Sequence, residues 1–138
     1  MLLIDADGRV LLQKAASGHW YTPGGRLDDD EALATGAARE IHEETGLVLS
    51  EDAFSAVLLE RYVCFTLADG RTYEADESYV AAHVDAFTPD ESGLEPGEEL
   101  LIAEQRWWTV AEIRAAIVPV WPEQLADLVA GVVAAGAT

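Results

Sequence analysis

The sequence predicts a single α/β domain whose sheets are mixed and antiparallel. Strand-like segments occur mostly in pairs separated by short turns, and helical segments lie between them, in the order ββ, β, α, ββ, β, α, α. A doubly wound parallel sheet would instead alternate single strands with helices. The chain has 138 residues, half of them hydrophobic, which suffices for one core. We therefore expect one domain over residues 1–138.

The first half of the chain is expected to form a hairpin, a short strand and a helix. Residues 2–13 (LLIDADGRVLLQ) hold two apolar runs around a turn-forming Asp-Ala-Asp-Gly sequence. The aromatic segment 19–22 stops at the Pro-Gly-Gly sequence of residues 23–25. After a loop, a helix is predicted over residues 32–44, with Gly46 as its C-terminal cap.

The second half is expected to form a long hairpin, a loop and one more strand. Residues 54–67 and 71–87 are rich in Val, Leu, Tyr and Phe, and Cys64 is predicted to be a small buried residue of the first strand. Residues 88–99 combine prolines, glycines and acidic residues, which is typical of a surface loop. A strand is predicted at residues 102–108.

Two helices are expected to end the chain. Thr109 and Glu112 have the spacing of a capping box, which predicts a short helix after the strand. Pro122 is expected at the first turn of a terminal helix that runs to about Ala135.

The composition disfavours several classes of partner. There are 26 acidic against 8 basic residues, a formal charge of -18, so we expect no DNA or RNA polymer as partner. No apolar run of about 18 residues and no signal-peptide pattern occur, which predicts a cytoplasmic protein that does not bind membranes. The single cysteine can form neither an internal disulfide nor a thiolate metal site. A phosphorylated ligand would need metal cations, because basic side chains are scarce.

The segment REIHEETGL (residues 39–47) places three glutamates on two turns of the predicted helix. Glu40 neighbours Glu43 and Glu44, and like charges at this spacing destabilise a helix by about 0.2–0.5 kcal/mol per pair. Divalent cations such as Mg²⁺ prefer carboxylate and other oxygen ligands, and a bound cation would turn the repulsion into shared attraction. Arg39 is a fixed cation that could hold one carboxylate in place. A merely solvated helix face is the alternative.

The wider spacing resembles the signature of the Nudix hydrolase family (MutT-like proteins). Gly25, five residues, Glu31, seven residues and then the segment 39–47 match G-x5-E-x7-R-E-U-x-E-E-x-G-U, with U apolar, at every specified position over residues 25–47. The segments WYTPGG and RWWTVAEI also look like members of this family. The resemblance implies the Nudix fold, an α/β/α sandwich with a loop-helix-loop catalytic motif.

The resemblance also implies roles for individual residues. Glu40 and Glu44 would be direct metal ligands, Glu43 a ligand or the base that activates water, and the carbonyl of Gly24 a further ligand. Mg²⁺ would be the cofactor, with Mn²⁺ as a substitute. The reaction would be attack of water at phosphorus in a nucleoside diphosphate linked to another group.

Two further motif residues would position the metal ligands without binding the metal themselves. The resemblance implies that Arg39 orients a metal-binding glutamate and that Glu31 supports it, paired with Arg39. In similar proteins a glutamate from a loop across the site often completes the machinery. The candidates here are Glu95, Glu98, Glu99 and Glu104, of which Glu98 or Glu99 is preferred.

Substrate identity depends mostly on residues outside the motif. Arg26 and Tyr62 are candidate substrate contacts, Tyr62 because dinucleoside polyphosphate hydrolases often have a tyrosine nearby. The downstream array of NADH-directed relatives is absent, and so is the proline associated with ADP-ribose hydrolases. A nucleoside triphosphate or related nucleotide is therefore the first choice, and a nucleotide sugar or dinucleoside polyphosphate the second.

Two other classes remain open alternatives. A nucleotide-sensing module on the same fold would be expected to lack one or more motif carboxylates, all of which are present. An isomerase would need further site residues that the sequence does not identify. The sequence is compatible with a homodimer as well as with a monomer.

Overall fold

The computed structural model describes residues 1–66, 69–90, 92 and 102–136. The predicted order of elements in the first half is confirmed. The elements are strands β1 (Leu2–Ile4), β2 (Val10–Ala15) and β3 (Trp20–Tyr21), helix α1 (Leu33–Thr45) and a short 3-10 helix (Glu51–Ala53). The second half contains β4 (Leu59–Thr66), β5 (Thr72–Tyr79), β6 (Ala81–His83), β7 (Ile102–Trp108), α2 (Val110–Ala115), β8 (Val120–Trp121) and α3 (Leu125–Gly136).

The described strands form one mixed sheet of six strands and a separate sheet of two strands. In the larger sheet, β2 pairs antiparallel with β1, β3 and β7, whereas β1 with β6 and β3 with β8 are parallel pairs. In the smaller sheet, β4 pairs antiparallel with β5. The prediction of mixed and antiparallel sheets is thus confirmed.

The larger sheet lies between two layers of helices. Successive residues of its central strand, β2, point to opposite faces of the sheet and pack against different helices. Leu12 packs with residues of α2 and α3 on one face, and Leu11 packs with Ile41 of α1 on the other. All three of these side chains are buried. The α/β/α sandwich predicted from the sequence is confirmed, and its α1 layer carries the glutamate-rich segment.

The predicted long hairpin differs from the structure in two respects. Its second strand breaks after Tyr79, because the chain leaves the smaller sheet there and β6 joins the larger sheet beside β1. The prediction that Cys64 is buried is wrong, since its side chain is exposed. Cys64 pairs with Glu74 in the two-stranded sheet. Arg61 faces the cleft described below, so Cys64, three residues further along β4, points to the opposite, outer face.

The capping box at the start of α2 is confirmed. The Glu112 N–H donates to Thr109 Oγ1 and the Thr109 N–H donates to Glu112 Oε1, both at 3.1 Å. The terminal helix begins at Leu125 and not at Pro122, because Val120 and Trp121 first pair with β3 and keep the chain extended. Within the described ranges, no helix combines the length and the apolar character that a membrane span requires.

Gly46 ends α1, and its conformation generates a stability prediction. Its φ is 79°, and its N–H donates to the His42 carbonyl at 2.9 Å. A Cβ at this position would lie 2.9 Å from the Asp90 Cβ. Gly46→Ala should therefore lower the free energy of unfolding by about 1–2 kcal/mol, measured by urea denaturation.

Gly131→Ala is the matched control. Gly131 lies inside α3, where an added Cβ would meet nothing within 4 Å. This variant should raise the free energy of unfolding by about 0.5–1 kcal/mol, because alanine favours helix interiors. Equal stability of Gly46→Ala and the parent protein would contradict the proposed cap strain.

Candidate active site

Helix α1 carries two glutamates on its buried face. Ala37 and Ile41 are apolar and buried, and they pack this face toward the sheet. Glu40 and Glu44 lie on the same side, because residues three and four apart share a helix face. Only 9% of Glu40 and 4% of Glu44 is exposed. Packing of the apolar residues therefore carries two carboxylates into the interior.

The backbone of residues 23–25 lies directly against these carboxylates. The Gly24 N–H donates to Glu44 Oε2 at 3.1 Å. A Cβ at position 25 would overlap the carboxylate of Glu40, so any side chain there would displace that carboxylate from its position against the loop. The close approach of the 23–25 loop to the carboxylate of Glu40 thus explains the glycine of the motif.

The Glu44 carboxyl has a strongly perturbed pKa. Burial, followed by the nearby charge of Glu40, raises its pKa from the ordinary value of 4.5 to about 8. Hydrogen bonds from the Gly24 N–H and from Gln13 act in the opposite direction. In the absence of a cation, Glu44 therefore holds a proton at neutral pH, and a bound cation would favour its ionised form.

Arg39 joins the loop to the helix through several carboxylates. Its Nε and Nη2 donate to the two oxygens of Glu31 at 2.9 and 2.8 Å. Its Nη1 donates to Glu40 Oε1 at 2.9 Å and lies 3.5 Å from both oxygens of Glu43. Its Nη2 also donates to the Arg26 carbonyl at 3.0 Å. This guanidinium is positioned to hold the Glu40 carboxylate in one orientation.

The pairing with Arg39 also shifts the ionisation of Glu31. Hydrogen bonds from Arg39, followed by the Asp28 N–H, lower the pKa of Glu31 to about 2. Hydrogen bonding to Glu31 raises the pKa of Arg39 above its already high value. Both groups are therefore charged throughout the physiological range, and the pair is a fixed support for Glu40.

A cleft of about 780 Å³ opens beside these residues. One wall consists of the 23–25 loop, Arg26 and Glu40, and the other is the inner face of the β4–β5 hairpin. On that face, Arg61 Nε donates to Glu77 Oε1 at 2.6 Å, and the Tyr79 hydroxyl donates to the same oxygen at 3.1 Å. Glu44 does not line the cleft, because it is buried under the loop.

The structure brings together the motif residues that the sequence singled out. Around the 23–25 loop and helix α1 lie Gly24, Glu31, Arg39, Glu40, Glu43 and Glu44. Of these, Gly24 and Glu40 line the cleft. Arg26 lines the cleft as well. Tyr62 does not, because it points to the outer face of β4 and is 60% exposed.

The candidate glutamates after the hairpin are placed only in part. Glu98 and Glu99, and Glu95 with them, lie outside the described residues, so their role stays a prediction. Glu104 lies in β7, opposite Lys14 of β2, and is exposed.

The donor set suits a hard divalent cation that keeps part of its water shell. Within the described ranges, no three Asp, Glu, His or Cys side chains are gathered closely enough to hold one ion together. Glu40 and Glu44 instead form an open pair beside the backbone of the two glycines. The carboxylate of Glu40 occupies the space that a side chain at position 25 would need. Mg²⁺ typically uses one or two carboxylates, waters and substrate phosphates rather than a closed protein cage.

Several residues at the site were not predicted from the sequence. Gln13 donates from Nε2 toward Glu44 Oε2 at 3.4 Å, and Gln105 Nε2 donates to the Glu44 carbonyl at 3.0 Å. A polar residue within the apolar run of β2 was a signal that could have identified Gln13. The contact between Arg61 and Glu77 had no such signal, since it depends on the register of β4 and β5.

Comparison with known proteins agrees with the motif. The family model described as NUDIX domain matches residues 1–129. A MutT-like protein from Streptomyces ambofaciens is 42% identical over 57 residues, which are 41% of this chain and 37% of that protein. Matches to the curated relatives cover only 22% to 40% of their lengths.

Two solved structures illustrate the likeness of the fold. The NUDIX domain of Shewanella oneidensis NrtR, complexed with ADP ribose, has a TM-score of 0.63 at 19% identity and covers 91% of this chain and 77% of that chain. The E. coli dihydroneopterin triphosphate pyrophosphohydrolase has a TM-score of 0.61 at 18% identity, with coverages of 91% and 88%. At these identities the likeness concerns the fold alone. With the family model matching residues 1–129 and the motif intact at residues 25–47, the chain belongs to the Nudix hydrolase family.

Proposed function

We propose that this protein is a Mg²⁺-dependent hydrolase of nucleoside diphosphate derivatives, with a nucleoside triphosphate or related nucleotide as the favoured substrate. The observation that carries the proposal is the pair Glu40 and Glu44, held against the Gly24–Gly25 backbone, with Glu40 lining a cleft of about 780 Å³ and Glu44 directly behind the loop. A cleft of this size suits a nucleotide-sized ligand. Carboxylates at its edge suit the divalent cation that phosphate substrates require.

The residues that would hold the metal are Glu40 and Glu44, with Glu43 and the carbonyl of Gly24 as further ligands. When bound, Mg²⁺, or Mn²⁺ in its place, would polarise the phosphoryl oxygens and lower the pKa of the attacking water. The acidic composition agrees with this need. Arg26 and Arg61 are the only basic side chains along the described part of the cleft, too few to neutralise a polyphosphate.

The remaining motif residues would position the carboxylates and move the proton. Arg39 fixes Glu40 through a contact of 2.9 Å, and Glu31 fixes Arg39 through two. Glu43 is the candidate base, because 24% of its side chain is exposed and it can pass a proton to solvent. A glutamate of the acidic loop, Glu98 or Glu99, is the alternative base or additional ligand.

The nucleoside end of the substrate would lie against the inner face of the β4–β5 hairpin. Tyr73 lines the cleft and packs on Phe65 with ring centroids 4.8 Å apart, so an aromatic surface is available for a base. Arg61 and Glu77 lie on the same face and offer donors and an acceptor. We propose that this wall selects the substrate and that the opposite wall, formed by the 23–25 loop and Glu40, performs the chemistry.

Two alternatives differ in substrate or in class. A nucleotide sugar or a dinucleoside polyphosphate would use the same carboxylates and differ at the hairpin wall. A nucleotide-sensing module would bind without turnover. The complete set of motif carboxylates, with Glu44 held by backbone and side-chain donors, favours catalysis over sensing.

A substrate screen tests the proposed activity. With Mg²⁺, the protein should hydrolyse at least one compound among nucleoside triphosphates, nucleotide sugars, dinucleoside polyphosphates and ADP-ribose, and should release a nucleoside monophosphate. The rate should rise toward alkaline pH, since a water or a glutamate must lose its proton. Product chromatography with and without a chelator is the measurement. Nucleotide binding without turnover, in the presence of Mg²⁺ or Mn²⁺, would favour the sensing module.

Glu44→Gln separates a catalytic role of this carboxylate from a structural one. The metal-free variant should be about as stable as the parent at neutral pH, because the amide oxygen can still accept from Gly24 and the amide, like the protonated carboxyl, carries no charge beside Glu40. Turnover should fall about 10²–10⁴-fold, which corresponds to roughly 3–5 kcal/mol of metal-borne stabilisation. The matched control is Glu123→Gln at an exposed position, which should change neither quantity. A variant that unfolds, with full activity in the folded fraction, would contradict the assignment.

The raised pKa of Glu44 predicts how the stability of the metal-free protein depends on pH. The folded state keeps the proton up to a pKa of about 8, whereas the unfolded chain releases it near 4.5. The contribution of this group is therefore fully present below pH 4.5 and is lost as pH rises to about 8. Urea denaturation across this interval should show a decline in the parent that Glu44→Gln lacks. Identical pH slopes of the two proteins would refute the burial of a protonated Glu44.

A further inference from the structure

Gln13 is a buried polar residue in the middle of an apolar strand. It has no exposed surface, and it follows Val10, Leu11 and Leu12, which are also fully buried. Its Nε2 lies 3.4 Å from Glu44 Oε2 and 3.4 Å from Gln105 Oε1. Its own Oε1 has no hydrogen-bond partner among the described residues.

An unpartnered buried oxygen destabilises a fold, so an apolar residue of similar size would suit packing better at this position. Beside the ionised Glu44 that would bind a cation, reversing the amide would set its oxygen against the oxygens of Glu44 and Gln105. Packing thus gives no reason for glutamine here. The donor on Nε2 and its contact with Glu44 give one.

Glu44 is held from both sides by the surrounding elements. Gln13 and Gln105 are paired neighbours on β2 and β7, and Gln105 Nε2 donates to the backbone carbonyl of Glu44 at 3.0 Å. From the 23–25 loop, the Gly24 N–H donates to Glu44 Oε2 at 3.1 Å. Oε2 therefore faces two donors, whereas Oε1 of Glu44 makes no hydrogen bond within the described part of the chain.

We propose that Gln13 is a positioning residue for the metal-binding carboxylate of Glu44. Its Nε2 and the Gly24 N–H engage Oε2 and leave Oε1 as the atom that binds the cation. The strand thereby sets the orientation of a ligand that belongs to the helix. This inference rests on the proposed function, in that Glu44 is taken as a metal ligand.

The test compares Mn²⁺ binding by the parent, Gln13→Met and Leu11→Met. Methionine keeps the length of the glutamine side chain and removes both the donor and the unpartnered oxygen. Leu11→Met is the matched control, because Leu11 is fully buried on the same face of β2 and packs in the core cluster that includes Ile41 of α1. Electron paramagnetic resonance of free Mn²⁺ gives the dissociation constants, and thermal unfolding without metal gives the stabilities.

Gln13→Met should weaken Mn²⁺ binding about 10–100-fold, as removal of a partner of a metal ligand typically does. Its metal-free melting temperature should equal or exceed that of the parent. Higher Mg²⁺ concentrations should restore most of its turnover, with little change in substrate KM. Leu11→Met should bind Mn²⁺ like the parent.

Other results would overturn the inference in distinguishable ways. Parent-like Mn²⁺ affinity of Gln13→Met, with weakened binding in Glu44→Gln, would refute the role of Gln13 and leave the proposed function standing. Parent-like affinity of Glu44→Gln would refute both. Unfolding of both Gln13→Met and Gln13→Leu would show that the amide serves the fold, which also overturns the inference.

Discussion

The burial of two carboxylates one helical turn apart, Glu40 and Glu44, is the constraint on which the rest of the site depends. Their burial follows from the apolar packing of Ala37 and Ile41 on the same face of α1. The position of Glu40 under the 23–25 loop depends on glycine at position 25, because a Cβ there would displace its carboxylate. Burial of both carboxylates is unfavourable unless one of them holds a proton or the two share a cation. The proton on Glu44 in the metal-free protein and the proposed metal in the active protein meet the same electrostatic need.

Arg39 supplies the fixed part of the charge balance. It contacts Glu31, Glu40 and Glu43 and ties them to the loop through the Arg26 carbonyl. A single guanidinium cannot neutralise this set, and the chain as a whole has a formal charge of -18. The scarcity of basic side chains, which disfavours nucleic-acid polymers, is therefore also the reason why a phosphate substrate would depend on a divalent cation here.

The sequence predicted those parts of the molecule that depend on local patterns. The antiparallel β1–β2 hairpin, α1 with its Gly46 cap and the capping box of Thr109 and Glu112 follow from turn chemistry and periodicity. The motif spacing predicted which residues gather around the 23–25 loop and α1. Features that depend on strand pairing were missed. The exposure of Cys64, the late start of α3 at Leu125 and the contact of Arg61 with Glu77 all follow from which strands pair, and no local pattern encodes that.

The central claim is that Glu40 and Glu44 share a divalent cation beside the glycine loop. Anomalous scattering from crystals soaked in Mn²⁺ tests it most directly, because it locates the ion without reference to activity. The account predicts a peak in ligand contact with Glu44 Oε1 and a Glu40 oxygen. A bound ion elsewhere on the chain, with no peak between these two carboxylates, would contradict it.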